Sequence, residues 1–545
     1  MDSLRAILAP RSVAVVGVSS RAESLSLRLL ANMTERGYRG AIYPINPRAT
    51  TIAGLPCYAS VGETPGKVDL AVVMVPRDTV GEAISDCLSA GVLGVIVITA
   101  GFREGGEAGA RAERELLGRL QSSGVRMIGP NCMGIINTAP AVSLDATFSP
   151  RRALSGPVAF ASHSGALGVA VLEAAGERRL GFSQFVSLGN SADVTVCDLL
   201  EVWEEDSATR VIMLYLEAIE EPRRSLSLAS RISVHKPIVA MKAGRTEAGA
   251  RAASSHTGAL AAADSAVDAL LKQAGVLRAA TLEELSDLAL ALQLCPLSRG
   301  RRVAVVTNAG GPAIAATDML AGSGLELARL APATEQALRG FLPAEAAVSN
   351  PVDMLPSATA ANYQRALELV LDDPGVDAAI TATVTSPITP PVLIAEALAG
   401  VGVGAGKPVL GVFMSSPAFY GEASKLAGVP PVYRFPENAV RALGGLARQG
   451  RRQSFAGLQE APPVVASALL GRLVSGGGHL SPRVAFDVLE EIGIPVARCR
   501  VAGNVGEVAG VAAEIGFPLV LKVYGAALVH KSELGAVMVG LRDER

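Results

Sequence analysis

This sequence predicts an α/β chain made of several doubly wound units on parallel sheets, and three features point there. Short runs rich in Val, Ile and Ala recur along the chain, among them Val13–Gly17, Leu70–Val75, Val92–Thr99, Val211–Leu216, Pro237–Lys242, Val303–Thr307 and Pro408–Met414. None alternates apolar with polar residues, which is the pattern of strands buried on both faces. Longer amphipathic stretches separate the runs, and small-residue turns join one to the next, as in repeated βαβ units.

Bulk properties agree. The chain has 545 residues, half of them hydrophobic, with 18% charged and a formal net charge of -2. At roughly 100–200 residues per domain this gives about three to five compact domains. Basic residues are scattered, so neither nucleic acid nor an anionic membrane is an expected partner. The six cysteines form no CxxC pair and no zinc spacing, which fits free thiols in a reducing compartment. Met1–Arg11 has no apolar signal core. The charge-free stretch Ala378–Ala395 contains Pro387, Pro390 and Pro391, so it reads as a buried strand and a turn rather than a membrane span. A cytoplasmic protein is expected.

Four segments follow. The first covers about 1–145, closing after Ile135–Ser143. The second covers 150–295, the third 300–455, and a polar, Gly-containing connector leads to a fourth at 465–545. Segments two and three look internally related. Val158-Ala-Phe-Ala-Ser-His-Ser-Gly165 resembles Val303-Ala-Val-Val-Thr-Asn-Ala-Gly310, and Lys236-Pro-Ile-Val-Ala-Met resembles Lys407-Pro-Val-Leu-Gly-Val. A duplicated flavodoxin-like unit would explain this, and so would chance among common strand patterns.

The chemistry sits at the carboxyl ends of the expected strands, the rim where such sheets bind ligands. In the first segment these ends are Gly17-Val-Ser-Ser-Arg21, Asn46-Pro-Arg48, Val75-Pro76, Thr99-Ala-Gly-Phe102 and Gly129-Pro-Asn-Cys-Met-Gly134. A turn of small residues entering a helix offers backbone N–H groups to a phosphate, and Arg21 and Arg48 would pair with one. Each could equally be a tight turn or a surface charge. There is no GxGxxG, which counts against a nicotinamide-dependent dehydrogenase. Two further turns, Ser162-His-Ser-Gly165 and Thr307-Asn-Ala-Gly-Gly311, also enter helices. Aimed at one point, those helix dipoles would cage an anion. Read separately, they are two ordinary capped helices.

The central stretch is Lys242-Ala-Gly-Arg-Thr-Glu-Ala-Gly-Ala-Arg-Ala-Ala-Ser-Ser-His-Thr-Gly258, a polar loop holding one histidine, His256, with a helix expected from near Ala259. An imidazole in such a loop can attack phosphorus, and Ser255, Thr257 and Gly258 leave the approach open. A carboxylate would have to orient its other nitrogen, and Glu217, ending the strand Val211–Leu216, is the candidate. A surface or capping histidine is the bland alternative. His163 and His235 read as structural. In the fourth segment Lys522 sits in the apolar run Gly516–Val523, costly to bury without a compensating anion, which suggests a phosphate ligand. An edge-strand lysine is the alternative.

Taken in order, Tyr43-Pro-Ile-Asn-Pro47, Gly129-Pro-Asn-Cys132, Ser162-His-Ser-Gly165, Ser187-Leu-Gly-Asn190, Tyr215-Leu-Glu217, Lys242-Ala-Gly-Arg245, Ser255-His-Thr-Gly258, Asn308-Ala-Gly-Gly311, Asn350-Pro-Val-Asp353 and His530-Lys-Ser-Glu533 resemble the acyl-CoA synthetases that release ADP and phosphate, more distant relatives of succinyl-CoA synthetase. The resemblance covers nearly the whole chain. It implies a CoA-binding Rossmann domain, two flavodoxin-like domains and the start of an ATP-grasp domain. It also implies phosphorylation of His256 with Glu217 as its partner, and a phosphoryl group held at Ser164-Gly165 and Gly310-Gly311. Ser19, Arg21, Val75, Pro76, Ala100 and Asn131 would line the CoA site, Lys522 would contact ATP, and His530 would relay phosphoryl groups. The implied ligands are a small carboxylate, CoA, ATP/ADP and Mg²⁺. The implied assembly is a homo-oligomer or a complex with a chain completing the ATP-grasp domain. A CoA-binding regulatory member without ligase activity is the alternative. The chain departs from the family where glycines are usual near Glu23 and Ser26. It also stops at Arg545, which puts the expected Mg²⁺ ligands beyond it.

Overall fold

A computed structural model of the chain describes residues 2–249, 251, 263–401, 406–454, 482–491, 493–524 and 535–543. It divides into two units, Met1–Gly457 and Leu458–Arg545.

Among the described residues the larger unit contains three large sheets, whose main parallel strands share one order, and a small two-stranded ladder, Thr51–Ile52 with Leu55–Pro56. In the first, Ser12–Val16 is flanked by Ala41–Ile45 on one side and by Leu70–Val73, Gly94–Val97 and Arg126–Ile128 on the other. In the second, Ser155–Ser162 has Phe182–Ser187 on one side and Val211–Leu216, Ile238–Lys242 and Leu277–Ala279 on the other. In the third, Arg302–Thr307 has Glu326–Leu327 on one side and Ala378–Val384, Val409–Met414 and Val432–Tyr433 on the other. This is the flavodoxin-type 2-1-3-4-5 order, in which the chain reverses direction across the sheet beside its first strand and opens a crevice there. Strands such as Ser12–Val16 and Val211–Leu216 are buried along their whole length, which is why they read as unbroken apolar runs.

One element lies across an expected segment boundary. The hairpin Gly134–Asn137/Leu144–Thr147 fell within the first segment when read from sequence. Its hydrogen bonds run antiparallel to Phe182–Ser187, so it extends the second sheet. Helix Leu25–Glu35 of the first sheet covers it, with Asn32 Nδ2 donating to the carbonyls of Thr147 (2.8 Å) and Ser149 (3.0 Å). A purely apolar four-residue run carries no mark of which sheet it joins.

The second and third sheets share a core. Helices Gly165–Gly176, Leu282–Leu294, Gly310–Gly322 and Pro436–Ser454 contribute to one buried cluster. The last of these returns to the second sheet, where Gln449 Nε2 donates to Ser233 O at 2.6 Å. Gly445 makes room there for Leu288, whose Cδ2 would lie 2.3 Å from a Cβ at that position.

In the smaller unit, helices Pro482–Glu491 and Val508–Ile515 accompany an antiparallel pair, Leu519–Lys522 with Val537–Leu541. None of the six cysteines is paired. Cys87, Cys132 and Cys197 are buried, while Cys57, Cys295 and Cys499 are partly exposed. Among the described residues no helix is long and apolar enough to cross a membrane.

Candidate active site at the strand ends

The first crevice opens between Ser12–Val16 and Leu70–Val73. Gly17 turns there with φ +90°, and a Cβ on it would meet Val75 Cγ1 at 2.7 Å, so only glycine fits. The following turn satisfies itself. Ser19 N–H donates to Ser26 Oγ at 3.0 Å, Arg21 N–H donates to Ser19 Oγ at 3.2 Å, and Ser24 Oγ lies 2.7 Å from Ser26 Oγ. Ser26, near where the resemblance calls for glycine, is therefore part of the turn. Ser24 makes no side-chain cap on helix Leu25–Glu35, which leaves that helix's first N–H groups toward the crevice. Arg21 and Arg48 are exposed, as are Pro76 and Ala100 in the turns after Leu70–Val73 and Gly94–Val97. Asn46 ties the rim together, donating from Nδ2 to Val18 O at 2.7 Å and accepting Arg48 N–H at 2.8 Å. The expected CoA-site residues thus share one sheet's rim.

Asn131 belongs to a junction that sequence reading did not single out. It has φ +57° and donates to Asn190 Oδ1 at 3.3 Å. Asn190 in turn donates to Glu104 Oε2 (2.6 Å) and Glu113 Oε2 (2.8 Å), and its carbonyl accepts from Arg103. The turns meet so closely that a Cβ on Gly189 would lie 2.3 Å from Pro130 O. Glu104 caps its own turn, accepting the N–H groups of Gly101 (2.5 Å) and Phe102 (3.2 Å). Burial alone would raise the Glu104 carboxyl, but hydrogen bonds from Asn190 and the backbone outweigh it and hold it below the usual range. Gly129-Pro-Asn-Cys132 and Ser187-Leu-Gly-Asn190 are therefore two halves of one joint between the first and second sheets.

The second crevice opens between Ser155–Ser162 and Val211–Leu216. His163, 4% exposed in its side chain, crosses it: Nδ1 accepts the Glu217 N–H at 3.1 Å, and Nε2 stands 3.6 Å from Glu220 Oε1. Burial, followed by the positive charges of Lys242 and Arg103, lowers its pKa to about 4, so the ring is neutral. Burial raises the Glu220 carboxyl. Glu217 begins where Val211–Leu216 ends, and Leu216 pairs with Lys242 on the next strand. Lys242 is buried with Nζ donating to Ala243 O at 2.6 Å, and burial lowers its pKa against the pull of Asp264. From Lys242 the chain enters the central loop. It re-enters the described fold before helix Asp264–Gln273, whose Asp264 pairs with Arg278 and lies 3.9 Å from Arg245 Nε. His256 lies outside the described residues, as do Ser255, Thr257, Gly258 and the helix start expected near Ala259.

Both helix-entry turns stand at the crevices of their own sheets. Ser164 caps Gly165–Gly176, accepting Leu167 N–H at 3.4 Å. A Cβ on Gly165 would meet Met133 Cβ at 3.3 Å and Ser187 Oγ at 3.5 Å. In the third sheet Ala309 precedes Gly310–Gly322 without a side-chain cap. Gly310 faces Asp353 Oδ2, 3.6 Å from a built Cβ, and Gly311 faces open space. Both first turns offer N–H groups to an anion.

In the smaller unit one residue departs from expectation. Lys522 ends a two-stranded ladder and is exposed, so the burial that suggested an anion partner is not there. His530 lies outside the described residues.

Three 2-1-3-4-5 sheets with small-residue turns at their crevices define an α/β protein of the class that binds nucleotide-like ligands at its strand ends. Residues 11–138 match the model of a CoA binding domain, 155–292 a succinyl-CoA ligase like flavodoxin domain, 303–412 a ligase-CoA domain and 472–545 an ATP-grasp domain. The chain is 37% identical over 542 residues to acetate–CoA ligase [ADP-forming] I of Archaeoglobus fulgidus, covering 98% of this chain and 77% of that protein. It is 42% identical over 451 residues to the alpha subunit of acetate–CoA ligase [ADP-forming] II of Pyrococcus furiosus, covering 81% of this chain and 97% of that subunit. The solved dinucleotide forming acetyl-coenzyme A synthetase 1 of Ca. Korarchaeum cryptofilum, in complex with phosphate and ADP, superposes with TM-score 0.78 at 37% identity, covering 84% of this chain and 99% of that one. The chain belongs to the ADP-forming acetate/acyl-CoA ligase family.

Proposed function

We propose that this chain makes an acyl-CoA thioester by passing a phosphoryl group over His256. ATP phosphorylates the imidazole, the phosphoryl group moves to a carboxylate to give an acyl phosphate, and the CoA thiolate displaces phosphate from the acyl carbon. Glu217 orients the ring of His256. The N–H groups of the helices beginning at Gly165 and Gly310 hold the phosphoryl oxygens, with Ser164 and Gly311 beside them. Losing one donor of this kind typically costs about 10²–10³ in rate. CoA lies along the rim formed by Ser19, Arg21, Arg48, Val75, Pro76, Ala100 and Asn131. Lys522 contacts ATP and His530 assists the relay. Among the described residues no group of three or more His, Cys, Asp or Glu is placed to hold a metal ion. A small carboxylate such as acetate is the proposed acid. The proposed assembly is a homo-oligomer or a pairing with a second chain, since the Pyrococcus furiosus relative is one subunit of its enzyme.

The observation that carries this proposal is the second crevice. A carboxylate-bearing peptide is fixed at one strand end, and the loop with His256 leaves from the strand beside it. The test runs the reaction backwards on the 545-residue chain with acetyl-CoA and labelled phosphate. The expected result is an acid-labile, base-stable protein label that His256→Ala abolishes. A label that survives this substitution, or no label on the wild type, overturns the proposal.

A further inference from the structure

The turns of the second and third sheets are built alike up to one residue. In each, the hydroxyl ending the strand donates two residues ahead: Ser162 Oγ to Ser164 O at 2.6 Å, Thr307 Oγ1 to Ala309 O at 3.0 Å. In each, the next side chain spans the crevice to the neighbouring strand end. Asn308 spans it with both ends of its amide, donating to Val384 O and accepting Val384 N–H, each at 2.9 Å. His163 spans it with one end only. Its Nδ1 accepts Glu217 N–H and so carries no proton, which puts the proton on Nε2. That N–H is buried and has no hydrogen-bond partner, and Glu220 Oε1 stands 3.6 Å from it. A buried donor without a partner is costly. Asn308 shows that a side chain at this place in the turn can avoid that cost.

We propose that His163 is a positioning residue for Glu217: it fixes the peptide from which that carboxylate is aimed, and holds an N–H for Glu220 to close on, tying the Glu217 peptide to the Glu220 side chain when the site is loaded. This rests on the role given to Glu217 above. The ring acts through Glu217 and touches no reacting atom. Arg103, reaching over from the first sheet's side, also has an unpartnered buried Nε and lies within electrostatic range of both His163 and Glu220. The tie therefore sits where the CoA-binding unit meets the second sheet.

The experiment follows single-turnover labelling of the full chain from labelled acetyl phosphate. His163→Leu, which has no acceptor for Glu217 N–H, should slow labelling by about 100-fold while the KM for acetyl phosphate stays within about 3-fold. His163→Gln, which keeps an acceptor and a donor, should stay within about 5-fold of wild type. Nitrogen NMR of histidine-labelled protein should show an Nε2–H tautomer that His163→Gln removes. Equal rates for the Leu and Gln variants overturn the proposal. If the Leu variant does not fold, the tautomer decides, and an Nδ1–H ring overturns it. Glu217→Gln separates the two readings. A labelled wild type with a dead Glu217→Gln and an unaffected His163→Leu removes this inference alone, whereas an unlabelled wild type removes both.

Discussion

The second and third sheets put different side chains to the same mechanical task. Both have a strand-end turn that reaches over the crevice and grips the next strand by its backbone. Asn308 pairs both ends of its amide with Val384, and the helix that follows, Gly310–Gly322, has no side-chain cap and faces open space at Gly311. His163 leaves one N–H unpartnered and is followed by a capped helix walled in by Met133 and Ser187. The two turns differ in what they leave over: the amide is fully paired, whereas the neutral ring keeps a spare donor near the Glu220 carboxylate.

The comparison is broken most directly at the paired amide. Asn308→Ala leaves the N–H and C=O of Val384 without the partners it supplied, a cost of about 2 kcal/mol or more. Hydrogen exchange at the Val384 amide should then speed up by roughly thirty-fold. His163→Gln should change exchange at the Glu217 amide by less than about five-fold, because an acceptor remains. If the two substitutions loosen their strands equally, the turns do not differ in kind.

Acidity sharpens the same contrast, because only one of the two turns titrates. Unfolded, the His163 ring takes a proton near 6.5; folded, it does so at about 4. Between those values the unfolded chain binds the extra proton, so the contribution to stability is complete above about pH 6.5 and is lost as pH falls toward 4. Lys242 and Arg103 oppose protonation, and Glu220, whose own protonated form burial favours, is the facing carboxylate that would offset them. From pH 7 to pH 5 the wild type should lose about 2 kcal/mol that His163→Gln does not. Parallel denaturation midpoints of the two proteins would contradict this.

Much of this architecture was legible because buried parallel strands write themselves as unbroken apolar runs, and the strand ends then locate the crevices. The strand end that carries Glu217 was located that way. What stayed hidden depends on contacts between distant residues. The bond from Glu217 to His163 spans 54 positions, and a lone histidine in a helix-entry turn carries no spacing signal that would reveal it. Asn131 and Asn190 are 59 positions apart, so two turns that read as separate motifs proved to be one joint, with Glu104 and Glu113 inside it. Lys522 shows the opposite error. Its apolar neighbours suggested burial, but a two-stranded ladder leaves its side chain exposed.

The smallest expected effect concerns the helix caps, and it tests whether cap and phosphoryl group compete for the same N–H groups. Ser164 Oγ accepts Leu167 N–H at 3.4 Å, a long bond, so Ser164→Ala should cost only about 0.5 kcal/mol, the low end for a lost cap. It should also leave the KM for acetyl phosphate unchanged or lower it, since the freed N–H is available to the ligand. The reciprocal substitution, Ala309→Ser, installs a hydroxyl where the third sheet has none. It should stabilise that helix by a similar amount and raise the same KM by about 2-fold, because the new cap occupies a donor the phosphoryl oxygens use. Opposite signs in the two variants would mean that both helix ends serve one ligand. A KM that moves with Ser164 and ignores Ala309 would assign the phosphoryl group to the second sheet alone and leave the third as its mechanical support.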